Sequence, residues 1–363
     1  MRHSKSLYFP TKRVQFSIPD LIKDCPFELN FNPHGILAGV QSDNWISEQS
    51  NFSTNRRYNL RGLKCGLLAA MTYPDAPAPE LRTCCDFLSF LFHIDDLSDD
   101  MDGGGTLSTR KAVIGSFFDT SREADTTVGR IGRDIWQRFS ATASAGAKAR
   151  FISTFELFFR AVSQQAIDRR EGRVMDLETY MVLRRDTSGC KPCWACIEYA
   201  NGLDIPDEVM GHETIEIMGE ATNDIVSWSN DIFSFKVEDA RHDNHNMISI
   251  AMRTIGLSLQ DAVDYVGDLC QESTHRFIAA KKRVPSFDDG GPIDKQVAIY
   301  IKGLEDWIVG SLHWSFESSR YFGKDGKGIK NSRVIKLQRS STESIFRSSG
   351  PWSRMMCLTG VDI

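Results

Sequence analysis

The chain has 363 residues, 41% of them apolar, with 22 Phe and 7 Trp, which is enough for one sizeable core with an aromatic-lined interior. A formal charge of −5 argues against a nucleic-acid partner, and no stretch approaches the ~20 uninterrupted apolar residues of a membrane span. The opening MRHSKSLYFPTKR is basic but has no apolar run, so no secretory signal is expected and a cytoplasmic location is the default.

Residues 1–35 carry Pro10, Pro19, Pro26 and Pro33 among aromatic anchors, and read as an extended N-terminal strap with one short helix near 20–24. From 36 to 337 the apolar pattern has helical period, with no strongly alternating strand run, so a single all-α domain is expected. Loops are predicted at 73–79, 103–105, 203–207 and 287–292, where Gly, Pro and Asp gather. One long helix is expected from Pro206 to Glu238, opened by Asp207 and Glu208 at the positive end of its dipole. Nine cysteines, odd in number and irregularly placed, do not read as a disulfide framework. Cys190, Cys193 and Cys196 have half the look of an iron–sulfur or zinc site, but lack a fourth cysteine nearby and read as a buried helical stripe. The basic, Gly-rich run 322–337 reads as an ordinary mobile loop, with closure over an anionic ligand as the alternative. Residues 338–363, serine-rich and without period, read as a disordered tail.

Two stretches carry chemistry. FHIDDLSDD, at 92–100, offers Asp95, Asp96 and Asp99; on a helix Asp95 and Asp99 share a face. NDIFSFKVE, at 230–238, offers Asn230, Ser234 and Glu238 at i, i+4 and i+8, again one face. Helical side chains tilt toward the N-terminus, so the long Glu238 reaches back while Asn230 and Ser234 stay near their own turns. All end in hard oxygen donors. Facing each other, the two sets suit Mg²⁺ ions that grip a phosphate-bearing substrate.

With these two motifs the chain resembles class I terpene synthases, of the single-domain sesquiterpene type found in fungi, basidiomycete-like. Asp95-Asp96-Leu97-Ser98-Asp99 is similar to the family's aspartate-rich motif, and Asn230, Ser234 and Glu238 to its downstream triad. Arg184-Arg185-Asp186-Thr187-Ser188-Gly189 resembles the diphosphate-sensing arginine and the helix break after it. Arg184 stands at the family's usual spacing, with Arg185 left open as the alternative. Arg320-Tyr321 resembles the pair that holds the diphosphate on closure, and the opening segment 16–34 is also similar. The resemblance covers 14–337. It departs at Lys236, which stands one place earlier than the lysine many relatives carry directly before the glutamate, so no diphosphate contact is assigned to it.

The resemblance implies an α-bundle around a central apolar active-site cavity, acting as a monomer or homodimer. It implies ionisation of farnesyl diphosphate, with geranyl diphosphate as the shorter alternative, to release diphosphate and form a sesquiterpene hydrocarbon or alcohol. Three Mg²⁺ ions are implied, with Mn²⁺ as substitute. Asp95 and the triad Asn230, Ser234 and Glu238 are the implied metal ligands. Asp99 is either a further ligand or, like Asp96, an acceptor for arginines. Arg184, Asn230, Arg320 and Tyr321 are the implied diphosphate contacts. Helical phase adds Phe92 and Val226 as cavity lining, and Trp307, Trp314 and Tyr321 as one stripe at seven-residue spacing. Gly103–Gly105 and Gly189 are candidate hinges. A chain-elongating prenyltransferase would need a second aspartate-rich motif where the triad stands; an inactive binding protein of the same fold would be free to lose these ligands.

Overall fold

A computed structural model describes residues 13–99, 103–118, 126–173, 175–241 and 245–338. Its helices run α1 (Gly35–Gln49), α2 (Thr54–Leu63), α3 (Cys65–Thr72), α4 (Ala78–Asp99), α5 (Gly103–Phe118), α6 (Thr127–Thr142), α7 (Ala145–Glu171) and α8 (Leu177–Thr187). They continue as α9 (Cys190–Ala200), α10 (Asp207–Met210), α11 (Glu213–Ala240), α12 (Met247–Thr254), α13 (Leu259–Lys281), α14 (Pro292–Glu317), α15 (Ser319–Phe322) and α16 (Gly326–Ser332). Many starts are written in the sequence. Ser53, Thr126, Ser144, Asp176, Asn246 and Ser258 each accept a backbone N–H of the first turn, and Pro292 opens α14.

The expected all-α fold is observed. Helix α4 packs on α1, α3, α6 and α9, while α11 packs on α13, α14 and α9. Away from the two motifs the core is a slab of phenylalanines, with Phe87 against Phe151 at 5.0 Å and Phe139 against Phe151 at 4.6 Å between ring centres. This slab clamps the middle of α4 and leaves its aspartate end to the periphery.

Five expectations need correction. A short antiparallel sheet pairs β1 (Arg13–Ser17) with β2 (Val334–Gln338), so Gln338, assigned to the tail, is opposite Arg13. The segment 20–24 is a turn closed by Asp24 N–H donating to Asp20 O at 3.2 Å, not a helix. The glycines 103–105 form the first turn of α5 instead of a loop, because that helix is seated against α6 and α7, and packing outweighs the weak helix propensity of glycine. The helix expected from 206 to 238 breaks at Gly211–His212, where the His212 ring accepts Thr214 N–H at 3.3 Å and starts α11 afresh. The run 322–337 is ordered as a 3₁₀ turn (Gly323–Asp325), α16 and β2, because Gly326 lets the chain press against the Phe316 carbonyl where a side chain would collide. The tail 339–363 lies outside the described residues.

Candidate active site

Asp95 sits in the last turns of α4, and Asn230 in the second half of α11. What joins them is the pair that follows α14. Arg320 Nη2 donates to Asp95 Oδ2 at 2.9 Å, and Asn230 Nδ2 donates to Oη of the next residue, Tyr321, at 2.6 Å. Two consecutive residues therefore touch one member of each motif, so both motifs lie at the same end of the bundle. Electrostatics agree. Burial, and then Asp95, raise the Asp96 carboxyl, while Arg320, Arg56 and Arg241, the C-cap of α11, pull it down, so groups from α2, α15 and α11 all lie near it.

The triad is held from behind. Ser234 Oγ is buried without a hydrogen-bond partner, although it lies close enough to help lower the Glu238 carboxyl. Glu238 is pushed up to about 7, first by burial and then by the nearby Asp231. Asn246, the N-cap of α12, restrains that rise by donating Nδ2 to Glu238 Oε2 at 2.8 Å, and the same amide reaches Asp231 O at 2.7 Å. Asp231 in turn accepts Tyr180 Oη at 2.7 Å and Arg184 Nε at 3.0 Å. Arg184 also donates Nη2 to Asn230 Oδ1 at 2.9 Å.

The two adjacent arginines face different ways. Arg185 donates Nε and Nη2 to the two oxygens of Asp224, both at 2.8 Å, and Arg276 reaches the same fully buried carboxylate. Arg184 alone lies against Asn230.

The donor set suits a hard cation. The candidate ligands are those the resemblance implies, the amide, hydroxyl and carboxylate of the triad together with Asp95; among the described residues no group of three Asp, Glu, His or Cys side chains suited to a metal is found. An orphaned buried hydroxyl beside a carboxylate that burial has made reluctant to ionise is a place a divalent ion would satisfy. Asp99 ends α4, and its side chain lies outside the described residues.

Phe92, Trp314 and Tyr321 form a connected aromatic wall at this mouth. Phe92 stacks on Trp314 at 5.5 Å, Trp314 meets Tyr321 edge-on at 6.0 Å, and the Arg320 guanidinium lies 4.7 Å from the Phe92 ring centre. Trp307 is deeper, edge-on to Tyr73 at 5.8 Å and to Trp194 at 5.4 Å. The expected single stripe is corrected. Ser318 is extended (ψ 158°), ends α14, and sends Tyr321 off on its own short helix. Val226 is half-buried on α11. Lys236 is exposed.

Gly189 does break the chain between α8 and α9, at φ +69°, with Leu91 where a Cβ would sit. Cys190, Cys193 and Cys196 are buried and free. A cavity of about 240 Å³ opens beside Tyr73, Asn201 and Lys302, roughly 20 Å along α14 from its Arg320 end. Sequence reasoning missed Asp231, Asn246, Tyr180, Arg56 and His93. Asp231, inside the second motif, and His93, inside the first, carried a local signal; the others reach the site through tertiary packing.

Residues 86–276 match the family described as terpene synthase family 2, C-terminal metal binding. A sesquiterpene synthase of Cyclocybe aegerita is 52% identical, over 88% of this chain and 92% of its own length. Sesquiterpene synthase 1 of Postia placenta is 49% identical over 90% and 96%, and alpha-muurolene synthase of Coprinopsis cinerea 44% over 92% and 80%. Germacradien-4-ol synthase from Streptomyces citricolor, a solved structure, has the same fold: TM-score 0.70 at 24% identity, covering 80% of this chain and 96% of that one.

Proposed function

Because this chain belongs to the terpene synthase family, as a lyase of the sesquiterpene synthase type, we propose that it ionises farnesyl diphosphate with the help of Mg²⁺. The observation that carries this reading is the Arg320–Tyr321 pair reaching Asp95 on α4 and Asn230 on α11. Asp95, Asn230, Ser234 and Glu238 would hold the ions, three by the resemblance, with Mn²⁺ as substitute and Asp99 as a further candidate. The ions, when bound, supply countercharge to the leaving diphosphate.

The chain's own residues do the rest. Arg320 turns its Nη2 from Asp95, and Arg184 its Nη2 from Asn230, to diphosphate oxygens, and the Tyr321 hydroxyl, which accepts from Asn230, adds its own proton as a donor; forked guanidinium groups match that geometry. Asn246 and Asp231 keep Glu238 and Arg184 aimed. The Phe92–Trp314–Tyr321 wall keeps water from the cation left behind and offers ring faces to it, at about 0.5–2 kcal/mol per contact. The purified chain should convert farnesyl diphosphate to a volatile C15 product only when Mg²⁺ is present. Geranyl and geranylgeranyl diphosphates run alongside would set chain length, and release of diphosphate from neither the C10 nor the C15 substrate would sink the reading.

A further inference from the structure

Asp95 and Asp96 are neighbours, yet each carries its own arginine. Arg320 from α15 takes Asp95, and Arg56, in the first turn of α2, donates Nη2 to Asp96 Oδ2 at 3.4 Å. Arg56 is fixed on three sides. The same Nη2 is 3.3 Å from His93 Nδ1, the guanidinium lies 5.4 Å from the Phe52 ring centre, and Phe52 stands edge-on to His93 at 4.9 Å. A guanidinium can only donate, so His93 Nδ1 is the acceptor of that contact. These side chains line a cavity of about 70 Å³ that opens beside Asp96. The far end of α2 is anchored to the same mouth: Leu63 O accepts Trp314 Nε1 at 2.7 Å, and Gly62 leaves room for Ser319 Oγ.

We propose that Arg56 is a positioning residue that acts through Asp96, holding this second carboxylate away from the metal face so that divalent ions bind with the diphosphate and not ahead of it. The physical reason is charge. Two adjacent carboxylates, both free, would draw a divalent ion into the empty mouth; a guanidinium on each keeps the local potential near neutral until an anion brings its own countercharge. Arg320 leaves Asp95 for the diphosphate, whereas Arg56, pinned by Phe52 and His93, stays. The inference rests on α4 being one wall of the metal site.

The test titrates the full chain with Mg²⁺ alone, by calorimetry and by the Mg²⁺-induced rise in melting temperature, and repeats it with inorganic pyrophosphate. Arg56→Gln should tighten Mg²⁺ binding without pyrophosphate by roughly three- to tenfold, the size expected for one partly screened charge near a divalent ion. Arg56→Lys should return affinity toward wild type. In an Asp96→Asn background, Arg56→Gln should shift it less than about twofold, because distant or uncoupled effects would add and these should not. Arg56→Leu, which keeps the packing on Phe52, replaces the glutamine variant should that fold poorly. Unchanged or weaker Mg²⁺ binding in both neutral variants, or an equal shift with and without the Asp96 carboxylate, overturns the inference. Failure of wild type to bind Mg²⁺ even with pyrophosphate overturns the metal reading beneath it.

Discussion

Arg184 and Arg185 are adjacent in the chain and belong to two different parts of the molecule. Arg185 is spent on Asp224, a carboxylate with no exposed surface, which it grips with both ends of its fork while Arg276 closes the other side. Arg150 on Glu198 repeats that arrangement, with bonds of 2.9 and 2.6 Å to a carboxylate that is 1% exposed. Arg184 also keeps a buried partner, Asp231, and reaches the mouth only through its Nη2 on Asn230; the two outer pairs of the mouth are of another kind. Arg320 makes one bond to an Asp95 side chain that is 41% exposed, and Arg56 one bond to an Asp96 side chain that is 46% exposed. A dry, two-pronged pair cannot exchange partners without stranding a buried charge. A single, wet bond is worth little and exchanges easily. The first kind holds helices in register; the second leaves Arg320 available to an incoming anion, while Arg56 is kept in place by its further contacts with His93 and Phe52.

The most severe way to separate the two is to remove a carboxylate or amide from each. Asp95→Ala and Asn230→Ala should each lower turnover roughly a thousandfold or more. Melting temperature should scarcely move, as product assays and circular-dichroism melts would show. Asp224→Ala should do the reverse. Half-buried Arg185 and exposed Arg276 lose their shared partner, costing about 1.5–3 kcal/mol in charge-assisted hydrogen bonds, and denaturant midpoints should fall without rescue by Mg²⁺ and pyrophosphate. An Asp224→Ala protein as stable as wild type would erase the distinction drawn between the two clusters. Next in size, Arg320→Gln should cost about 1 kcal/mol of stability or less, while kcat/KM drops roughly a hundredfold.

Asn246→Ala sharpens the picture inside the mouth. Glu238 must be ionised to take a metal, and in the metal-free protein it titrates at about 7, raised by burial and Asp231 and restrained by Asn246. Because that carboxyl is raised, the metal-free fold is favoured at low pH and loses the advantage as pH climbs from the ordinary glutamate value through about 7. Metal affinity should run the other way, weakening as pH falls through about 7. Without the Asn246 hydrogen bond that midpoint should move up, and affinity at neutral pH should fall roughly tenfold or more. Mg²⁺ titrations at several pH values would read both; a variant with an unshifted midpoint would show that Asn246 does not aim Glu238.

Much of the mouth was readable because helical spacing is a local rule. Asn230, Ser234 and Glu238 fall on one face of α11 for the same reason any i, i+4, i+8 set does, and that their partner is α4 follows from the family resemblance, not from spacing. Long-range pairings were not readable. The β1–β2 ladder joins residues more than three hundred apart, and although Val14 and Phe16 alternate with Gln15 and Ser17, as Ile335 and Leu337 do with Lys336, five residues name no partner. The break at Ser318 has no glycine or proline to mark it. Gly103–Gly105 misled in the opposite sense, since glycine only permits a turn and a packed neighbour can still wind it into helix. His93 stands one turn before Asp96 on α4, but Arg56, forty residues away, meets both only because α2 reaches across to α4, which no periodicity encodes.

The smallest expected effect concerns a neutral contact at the same mouth. Trp314 touches both kinds of neighbour: its ring stacks on Phe92 and meets Tyr321, while its Nε1 donates to Leu63 O, the last residue of α2. Trp314→Phe keeps an aromatic ring in the wall but leaves the Leu63 carbonyl without that donor, which should cost about 1 kcal/mol. Because no charge is lost, Mg²⁺ affinity and the rate of diphosphate release should stay within about twofold of wild type. The hydrocarbon, however, meets a smaller wall, and helix α2 has lost its tether. The ratio of C15 products should therefore change by gas chromatography even though the total does not. A variant that loses turnover in proportion to Asp95→Ala would place Trp314 with the charged groups at the mouth, and the separation of ionising groups from shaping groups would have to be redrawn.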